Sequence, residues 1–334
     1  MNEHKTVKIH CLSTALSPIT HMMGVSGNEG IINRTKVISG GQIFDVPVLS
    51  GNAIRHKMIR EPGAMLIVKT CKLDGNLTID QANYLFYGGS LTDSQTGDNL
   101  KKIAEMQELL PLIRLLGGSL RNQVVSGSLL VSMGTLICEE NRETLHMMLP
   151  GELLHGLPEL RSCEDFVDKY QYTRGDIGKK PGMMDASEEP AEKSNLMIYS
   201  GQSVVRGAMF YHSFILQNVS RLEVGALIAA MNDWHNDGGI VGGSSRIGHG
   251  RLHTAIHTDT ANFFGDTIDL SDYEAEYRQH IAGNTARITA WLNEVFPART
   301  PKSVKEPGVT KKSKAPKSTP SQLDFFEAVQ GELI

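Results

Sequence analysis

The stretch best suited to binding a ligand is residues 238–251, GGIVGGSSRIGHGR, in which six of fourteen residues are glycine. Glycine lets a backbone approach a ligand closely and adopt conformations that other residues avoid. The backbone N–H groups and the side chains of Ser244, Ser245, Arg246 and His249 are donors suited to phosphate oxygens. The stretch lacks the Gly-Lys-Ser/Thr ending of a Walker A loop. The competing interpretation is a tight turn that binds nothing.

A second candidate is the helix start within residues 47–60, PVLSGNAIRHKMIR. Ser50 or Asn52 can cap the helix, and the free N–H groups of its first turn form a site for an anion. Basic side chains follow in the next two turns. Because Arg55 and Lys57 project in different directions, at least one basic face remains for nucleic acid. The competing interpretation is an ordinary capped helix on the protein surface.

These two segments need a sheet and helices to hold them in place. Residues 7–12 and 44–49 are predicted strands, separated by a stretch rich in glycine and asparagine. The second strand leads into the capped helix, which is expected to end at residues 61–63, because proline disfavours helical geometry in the residue before it. Thr78 and Gln81 have the spacing of a capping box for another helix.

The remaining elements alternate between helices and strands. Apolar residues at helical spacing predict three helices, over residues 103–116 with a break at Pro111, over 224–234 and over 273–295. Residues 124–138 and 203–216 are predicted strands. This order predicts an α+β fold in which an antiparallel sheet packs on helices. It does not suit a doubly wound nucleotide-binding fold.

Composition narrows the class of protein. The chain has 334 residues, of which 40% are hydrophobic, enough for a substantial core. It lacks an apolar run long enough for a membrane span, and the N-terminus lacks the pattern of a secretion signal. The four cysteines form no CxxC pair, which indicates reduced thiols in the cytoplasm and no structural zinc site. We expect no cofactor, no metal and no membrane contact.

Charge is distributed unevenly along the chain. The formal net charge is −4, yet residues 298–320 carry one arginine and six lysines against one glutamate. We expect residues 297–320 to be a disordered basic linker. Residues 321–334 follow as a short C-terminal helix or peptide motif. Its SQLDFF start is similar to the Gln-Leu-x-Leu-Phe peptides that bind bacterial sliding clamps, although we favour a helix that docks on its own or a neighbouring subunit.

The helix start and the glycine-rich stretch together resemble the RAMP superfamily of CRISPR-associated proteins. Within it, the resemblance is to the guide-RNA-binding backbone subunits of multi-subunit (Class 1) effector complexes. Three further stretches are similar to this family: residues 12–24, which include His21, residues 109–137 and residues 199–216. The resemblance covers about residues 1–260. It favours a type IV effector and leaves type I open.

The resemblance implies a modified ferredoxin-like (RRM-like) palm with finger insertions and a thumb hairpin. Residues 1–296 would form the palm and fingers, and the thumb would be an insertion at about 171–197 that carries Tyr172 and Arg174. Copies of such a subunit stack along a guide RNA, and each thumb kinks the duplex with the target. The residues implied to line the guide groove are His21, Ser50, Gly51, Asn52, Arg55, Arg60, Gly242, Gly243, Ser244, Ser245, Arg246 and His249.

The implied function is non-catalytic binding of CRISPR guide RNA in an effector ribonucleoprotein. The implied partners are the guide RNA (crRNA), its complementary target strand, further copies of this chain and other effector subunits, with a helicase as a further candidate. One alternative is a metal-dependent, target-RNA-cleaving backbone subunit of a type III effector. Such subunits cut with an aspartate before the Ser-Gly helix, where this chain has Asn33, which cannot act as a general base. Asp45, just before the Ser-Gly turn, is the only acidic residue nearby, and we interpret it as structural. A single-copy RNA-binding module is the third alternative.

Overall fold

The computed structural model describes residues 4–27, 29–91, 99–174, 197–258 and 269–298. The described residues up to Pro297 belong to one compact unit. The expected thumb tip at 175–196, the basic linker from residue 299 onwards and the C-terminal peptide lie outside the described residues. Within the described part, none of the helices has both the length and the apolar character needed to cross a membrane.

The described residues contain thirteen strands. They are β1 (Lys5–Ala15), β2 (Met22–Ser26), β3 (Glu29–Ile32), β4 (Arg34–Ser39), β5 (Gln42–Leu49), β6 (Gly117–Leu120), β7 (Gln123–Ser126), β8 (Leu129–Val131), β9 (Gly134–Leu136), β10 (Val167–Arg174), β11 (Met197–Val204), β12 (Met209–Val219) and β13 (Leu252–Thr258). Short strands separated by turns suit the glycine-rich sequence, since glycine readily supplies the backbone conformations of tight turns.

Ten α-helices occur in the same part of the chain. They are α1 (Gly51–Ile54), α2 (Glu61–Thr70), α3 (Ile79–Tyr87), α4 (Asn99–Leu109), α5 (Pro111–Leu116), α6 (Arg142–Met148), α7 (Gly151–His155), α8 (Arg221–Asn236), α9 (Leu270–Gly283) and α10 (Thr285–Val295). A π-helical stretch, Arg55–Arg60, joins α1 to α2. The capping box of α3, between Thr78 and Gln81, is present as predicted.

The main sheet is antiparallel and has seven strands among the described residues. Its order is β13-β1-β12-β9-β5-β4, and β8 pairs with β12 beside that path. The first strand is central, because β1 pairs with β12 on one side and with β13 on the other. A second sheet, of order β10-β11-β3-β2, holds the two strands at the base of the expected thumb.

Helices cover one face of the main sheet and form the larger core. Val7, Ile9 and Cys11 alternate along β1 and belong to the same buried cluster as the apolar side chains of α2, α5, α8 and α10. The opposite face of β1 and β12 contributes Leu12 and Tyr211 to a smaller cluster under α6 and α7. The predicted α+β class, a sheet packed on helices, is confirmed. The finer ferredoxin-like description stays a prediction.

The helix that begins after Ser50 does not end at residues 61–63. It continues to Thr70, with the N–H of Glu61 donating to the carbonyl of His56 at the end of the π-helical stretch and Pro62 directly after it. The wider π-helical turn replaces the i→i−4 bonding that a proline inside a regular α-helix would interrupt. The predicted strand over 203–216 is likewise interrupted, since β11 ends at Val204 and β12 begins at Met209.

The crossing of α8 and α9 depends on a glycine. A Cβ atom on Gly225 of α8 would overlap the carbonyl oxygen of Tyr273 at the start of α9. Gly283, at the end of α9, has no heavy atom within 4 Å of the corresponding position. The two glycines therefore differ in packing although both lie in helices.

We expect Gly225→Ala to destabilise the protein by about 1–3 kcal/mol, because the helices must separate to admit the methyl group. Gly283→Ala is the matched control and should be neutral or stabilising by up to about 1 kcal/mol, since alanine has the higher helix propensity. Urea denaturation of both variants measures the difference. Equal stabilities would contradict the close crossing of the two helices.

Candidate nucleic-acid interface

The turn that follows β1 holds the glycine-rich stretch 238–251, here called the glycine loop, in place. We call residues 17–21 the anchor turn. The N–H groups of Gly243 and Gly250 donate to the carbonyl oxygens of Thr20 and Pro18, at 2.7 and 2.8 Å. The hydroxyl of Thr20 is buried and lies 2.7 Å from Nδ1 of His249. The middle of the loop and its C-terminal end are therefore bonded to the same few residues.

The anchor turn also reaches the helix start and the thumb strands. The N–H group of Ser50 donates to Nε2 of His21 at 3.2 Å. Ile19 pairs with Val204, the last residue of β11, through two backbone hydrogen bonds of 2.8 Å. Two motifs that are far apart in the sequence, together with the base of the expected thumb, are thus connected by one short turn.

The glycine loop projects polar side chains from a constrained backbone. Ser244 has φ of 59° and Gly248 has φ of 92°, and a single 3₁₀ turn, Ser245–Ile247, lies between them. Gly242, at φ 76°, packs directly on the carbonyl of Thr20, so that a side chain has no room there. The side chains of Ser245 and Arg246 are exposed. Arg246 forms no ion pair within the described residues, and its charge is available to an anion.

The helix start offers fewer free donors than its sequence suggests. Ser50 is the N-cap, and its side chain accepts from the N–H of Ala53 at 3.2 Å. The N–H of Ser50 is occupied by His21. Gly51 packs on the backbone of β8, where a Cβ would lie 3.0 Å from the carbonyl oxygen of Val131. Asn52 is exposed. The side chain of Asn52 is therefore the part of this motif that faces solvent and can meet a ligand.

Arg60 does not line the surface, and the prediction for it is corrected. Its side chain is buried at 6% exposure, and Nη2 donates to the carbonyl of Gly117 at 2.8 Å. Arg55, half-buried, donates to the carbonyl of Leu116. These carbonyls end α5, where positive charge is favourable. Burial, with the nearby charge of Arg55, lowers the pKa of Arg60 to about 10. Both arginines therefore serve the fold.

The base of the expected thumb carries a row of three tyrosines, of which only Tyr172 was predicted from the sequence. The rings of Tyr170 and Tyr172 in β10 and of Tyr199 in β11 are nearly parallel, with centroids 6.3 and 5.2 Å apart. Tyr170 also meets the ring of His249 edge-on at 4.7 Å. Tyr172 is 39% exposed. Tyr170 and Tyr172 are two residues apart on a strand and therefore share one face of it. This spacing is the sequence pattern that indicates the row. Arg174 ends β10, and its side chain lies outside the described residues.

The two histidines of the surface are held in their neutral form. Burial lowers the pKa of His21 and of His249 below the usual range. For His21 the hydrogen bond agrees with this, because Nε2 accepts from Ser50 and the proton of the neutral ring must lie on Nδ1. Positive charge in the glycine loop therefore comes from the exposed side chains of Arg246 and Arg251.

The positions considered for metal-dependent cleavage are tied into the β4–β5 hairpin. Asn33 lies between β3 and β4, where its N–H donates to the carbonyl of His21 and its carbonyl accepts from Val48. The carboxylate of Asp45 accepts from Lys36 at 3.2 Å. No group of three or more His, Cys, Asp or Glu side chains within the described ranges is arranged to hold a metal ion.

The titration of His21 gives a pH-dependent prediction. Because its pKa is lowered from 6.5 in the folded state, its contribution to stability is complete above pH 6.5 and is lost as the pH falls. His21→Gln keeps an acceptor for Ser50 and cannot titrate. We expect the free energy of unfolding of H21Q to fall less steeply between about pH 7 and pH 5, by up to about 1.4 kcal/mol per pH unit.

Urea denaturation at several pH values measures these slopes. The exposed His155→Gln on α7 is the control. Some slope should remain in H21Q, because burial lowers the pKa of His212 to about 3. Identical slopes for the native protein and H21Q would contradict the proposed hydrogen bond between His21 and Ser50.

Comparison with known proteins bears on the fold. No family profile and no curated protein matches the sequence. A chain of the Type IV-B CRISPR Complex does match the structure, with a TM-score of 0.54 and 18% sequence identity, over 75% of this chain and 90% of that chain. The expected likeness to proteins of type IV CRISPR effectors is confirmed at the level of the fold.

Proposed function

We propose that this protein is a guide-RNA-binding subunit of a CRISPR effector complex of type IV and that it holds the RNA by its sugar-phosphate backbone. The observation that carries the proposal is the anchor turn. It joins the glycine loop, the helix start and the thumb strands into one surface, where Ser245 and Asn52 are exposed and Arg246 forms no ion pair with any described residue. The fold shared with a chain of the Type IV-B CRISPR Complex supports this assignment.

The chemistry of the surface suits RNA without regard to its sequence. Backbone N–H groups, serine hydroxyls and arginine contact phosphates, which position a nucleic acid but do not specify its bases. The row of stacked rings formed by Tyr170, Tyr172 and Tyr199 beside this surface can be extended by a base of any kind. A subunit of this design can follow a guide whose sequence changes from one complex to the next.

The proposed assembly contains several partners. We propose that copies of the chain bind successive segments of the guide, that the guide pairs with a complementary target strand, and that other effector subunits complete the complex. A helicase is a further candidate partner. We propose that the protein acts in the cytoplasm. Its four cysteines are free thiols, and disulfides are rare in that reducing compartment.

Cleavage of target RNA is the alternative activity. This activity would need an acidic residue in the loop before the Ser-Gly helix. The residue there is Asn33, whose backbone N–H and carbonyl groups are both hydrogen-bonded within the protein. Asp45 already pairs with Lys36 on the outer face of its hairpin. We therefore propose a binding role without catalysis.

RNA binding is tested by comparing two exposed arginines. Arg246→Ala should weaken binding to a guide-length RNA by about 10- to 100-fold, because a hydrogen bond between charged groups contributes about 1.5–3 kcal/mol. Arg287→Ala on α10, where the guanidinium lies 2.8 Å from Glu108, is the control and should bind normally. Filter binding at several salt concentrations measures both, and affinity should fall steeply with salt. Equal losses would count against the glycine loop as the binding surface.

The absence of catalysis is tested on the assembled complex with labelled complementary RNA. We expect intact RNA after incubation with Mg²⁺ or Mn²⁺, because Asn33 replaces the expected acid. Asp45→Ala should behave in the same way as the native protein. Cleavage at regular intervals that disappears in D45A would instead establish the nuclease alternative.

A further inference from the structure

The arginine side chains of the protein are of two kinds. Most of those that the structure describes bond within the protein, as Arg34 does to Glu164 and Arg278 to Asp233. A few exposed arginines form no ion pair and no side-chain hydrogen bond with any described residue, and these are Arg161, Arg206, Arg246 and Arg251. The fold does not use the charges of these four side chains, which therefore remain available to a ligand.

The unpaired arginines lie along one edge of the main sheet. There β1 ends where β12 and β13 begin, since Thr14 pairs with Met209 and Ala15 pairs with Leu252. The end of β9 lies at the same level, because β9 pairs with the first residues of β12. We call this edge, formed by the end of β9, the start of β12, the end of β1 and the start of β13, the sheet end.

Two of these arginines lie on either side of the last residues of β1. Arg251 directly precedes β13, and its carbonyl accepts from the N–H of Leu16 at 2.8 Å. Arg206 lies in the turn between β11 and β12, where the N–H of Gly207 donates to the carbonyl of Ala15 at 2.8 Å. The backbone at both arginines is thus fixed to β1, although their side chains are exposed.

Arg161 continues the row beyond β12. Its carbonyl accepts from the N–H of Glu139, just after the end of β9, at 2.8 Å. The neighbouring acids are occupied by other partners, because the carboxylate of Glu139 pairs with Arg142 at 2.5 Å and that of Glu140 accepts from the N–H of Cys163 at 2.8 Å. Neither carboxylate neutralises Arg161.

We propose that Arg251, Arg206 and Arg161 form a track along the sheet end, which carries the sugar-phosphate backbone of the RNA away from Arg246 and the glycine loop. Neighbouring strands lie about 4.8 Å apart, so the three spacings from β13 to β9 give the track a length of about 15 Å. At about 3.4 Å per phosphate, this length accommodates about four phosphates. The inference rests on the proposed function and adds the direction that the RNA takes across the protein.

The chemistry of the track suits phosphate. A guanidinium can donate two parallel hydrogen bonds to a phosphate, and an arginine that is unpaired gives up no internal bond in doing so. A paired arginine such as Arg34 would first have to leave Glu164. Leu16, at 49% exposure beside Arg251, adds an apolar contact for a ribose within the track.

The track is tested first with single substitutions. Arg251→Ala, Arg206→Ala and Arg161→Ala should each weaken binding to a guide-length RNA by about tenfold. Each should also reduce the slope of log affinity against log salt by about 0.7, because one phosphate contact is lost. Filter binding at several salt concentrations measures both quantities, and thermal melts check that the variants fold.

The matched control is Lys8→Ala. Lys8 is exposed on β1 and pairs with no described side chain, but it lies eight residues before Leu16, about 25 Å along the strand. Removing its charge should leave both the affinity and the salt slope as they are in the native protein. A loss in K8A equal to the losses in the arginine variants would overturn the track, since it would show a response to net charge alone.

A series of RNAs of increasing length tests the direction of the track. The affinity of the native protein should rise with length until the track is filled. The triple variant R161A/R206A/R251A should reach its plateau about four nucleotides earlier and bind the shortest RNAs as the native protein does. A triple variant that followed the native protein at every length, or that lost the same factor at every length, would overturn the inference.

Arg246→Ala separates this inference from the proposed function, because it should weaken binding at every length of RNA. If R246A did so while the triple variant bound like the native protein, the track would be wrong and the proposed function would stand. If the native protein bound no RNA of any length, both would fall.

Discussion

The proposed binding surface depends on Thr20. Its side chain is buried, its hydroxyl lies beside His249, and its carbonyl accepts from Gly243. A buried polar residue must find partners inside the protein, because unpaired polar groups away from water are costly. The glycine loop supplies those partners only by wrapping around the turn after β1. The shape of the loop, including the close approach of Gly242, follows from that requirement.

Features set by local chemistry could be predicted from the sequence. The N-cap at Ser50, the capping box at Thr78 and the helix break before Pro111 are all present, because each depends on neighbours within a few residues. The strands β2 and β4 were not predicted. Their side chains are mostly exposed or half-buried and lack the alternation that marks a strand with one buried face.

The proposed binding surface was predictable only in part, because its contacts join residues that are far apart in the sequence. The glycine loop could be recognised by its composition, but its partner Thr20 lies 229 positions away from His249 in the sequence. Arg60 illustrates the opposite error. Its charge favoured RNA, yet the position of α5 determines that its guanidinium faces a helix end in the core. Sequence identifies which groups can bind, and tertiary packing decides which of them face outwards.

The central place of β1 also has a consequence for how the chain folds during synthesis. Ile9 pairs with Phe214 on one side and with Thr258 on the other. At a typical rate of about 5–20 residues per second, the second partner is made roughly 10–50 s after the first strand. Until β12 is made the apolar residues of β1 lack both neighbouring strands, and until β13 follows they lack one of them. This strand order therefore leaves the apolar side chains of the nascent N-terminal strand exposed for seconds, and exposed apolar strands are prone to aggregation.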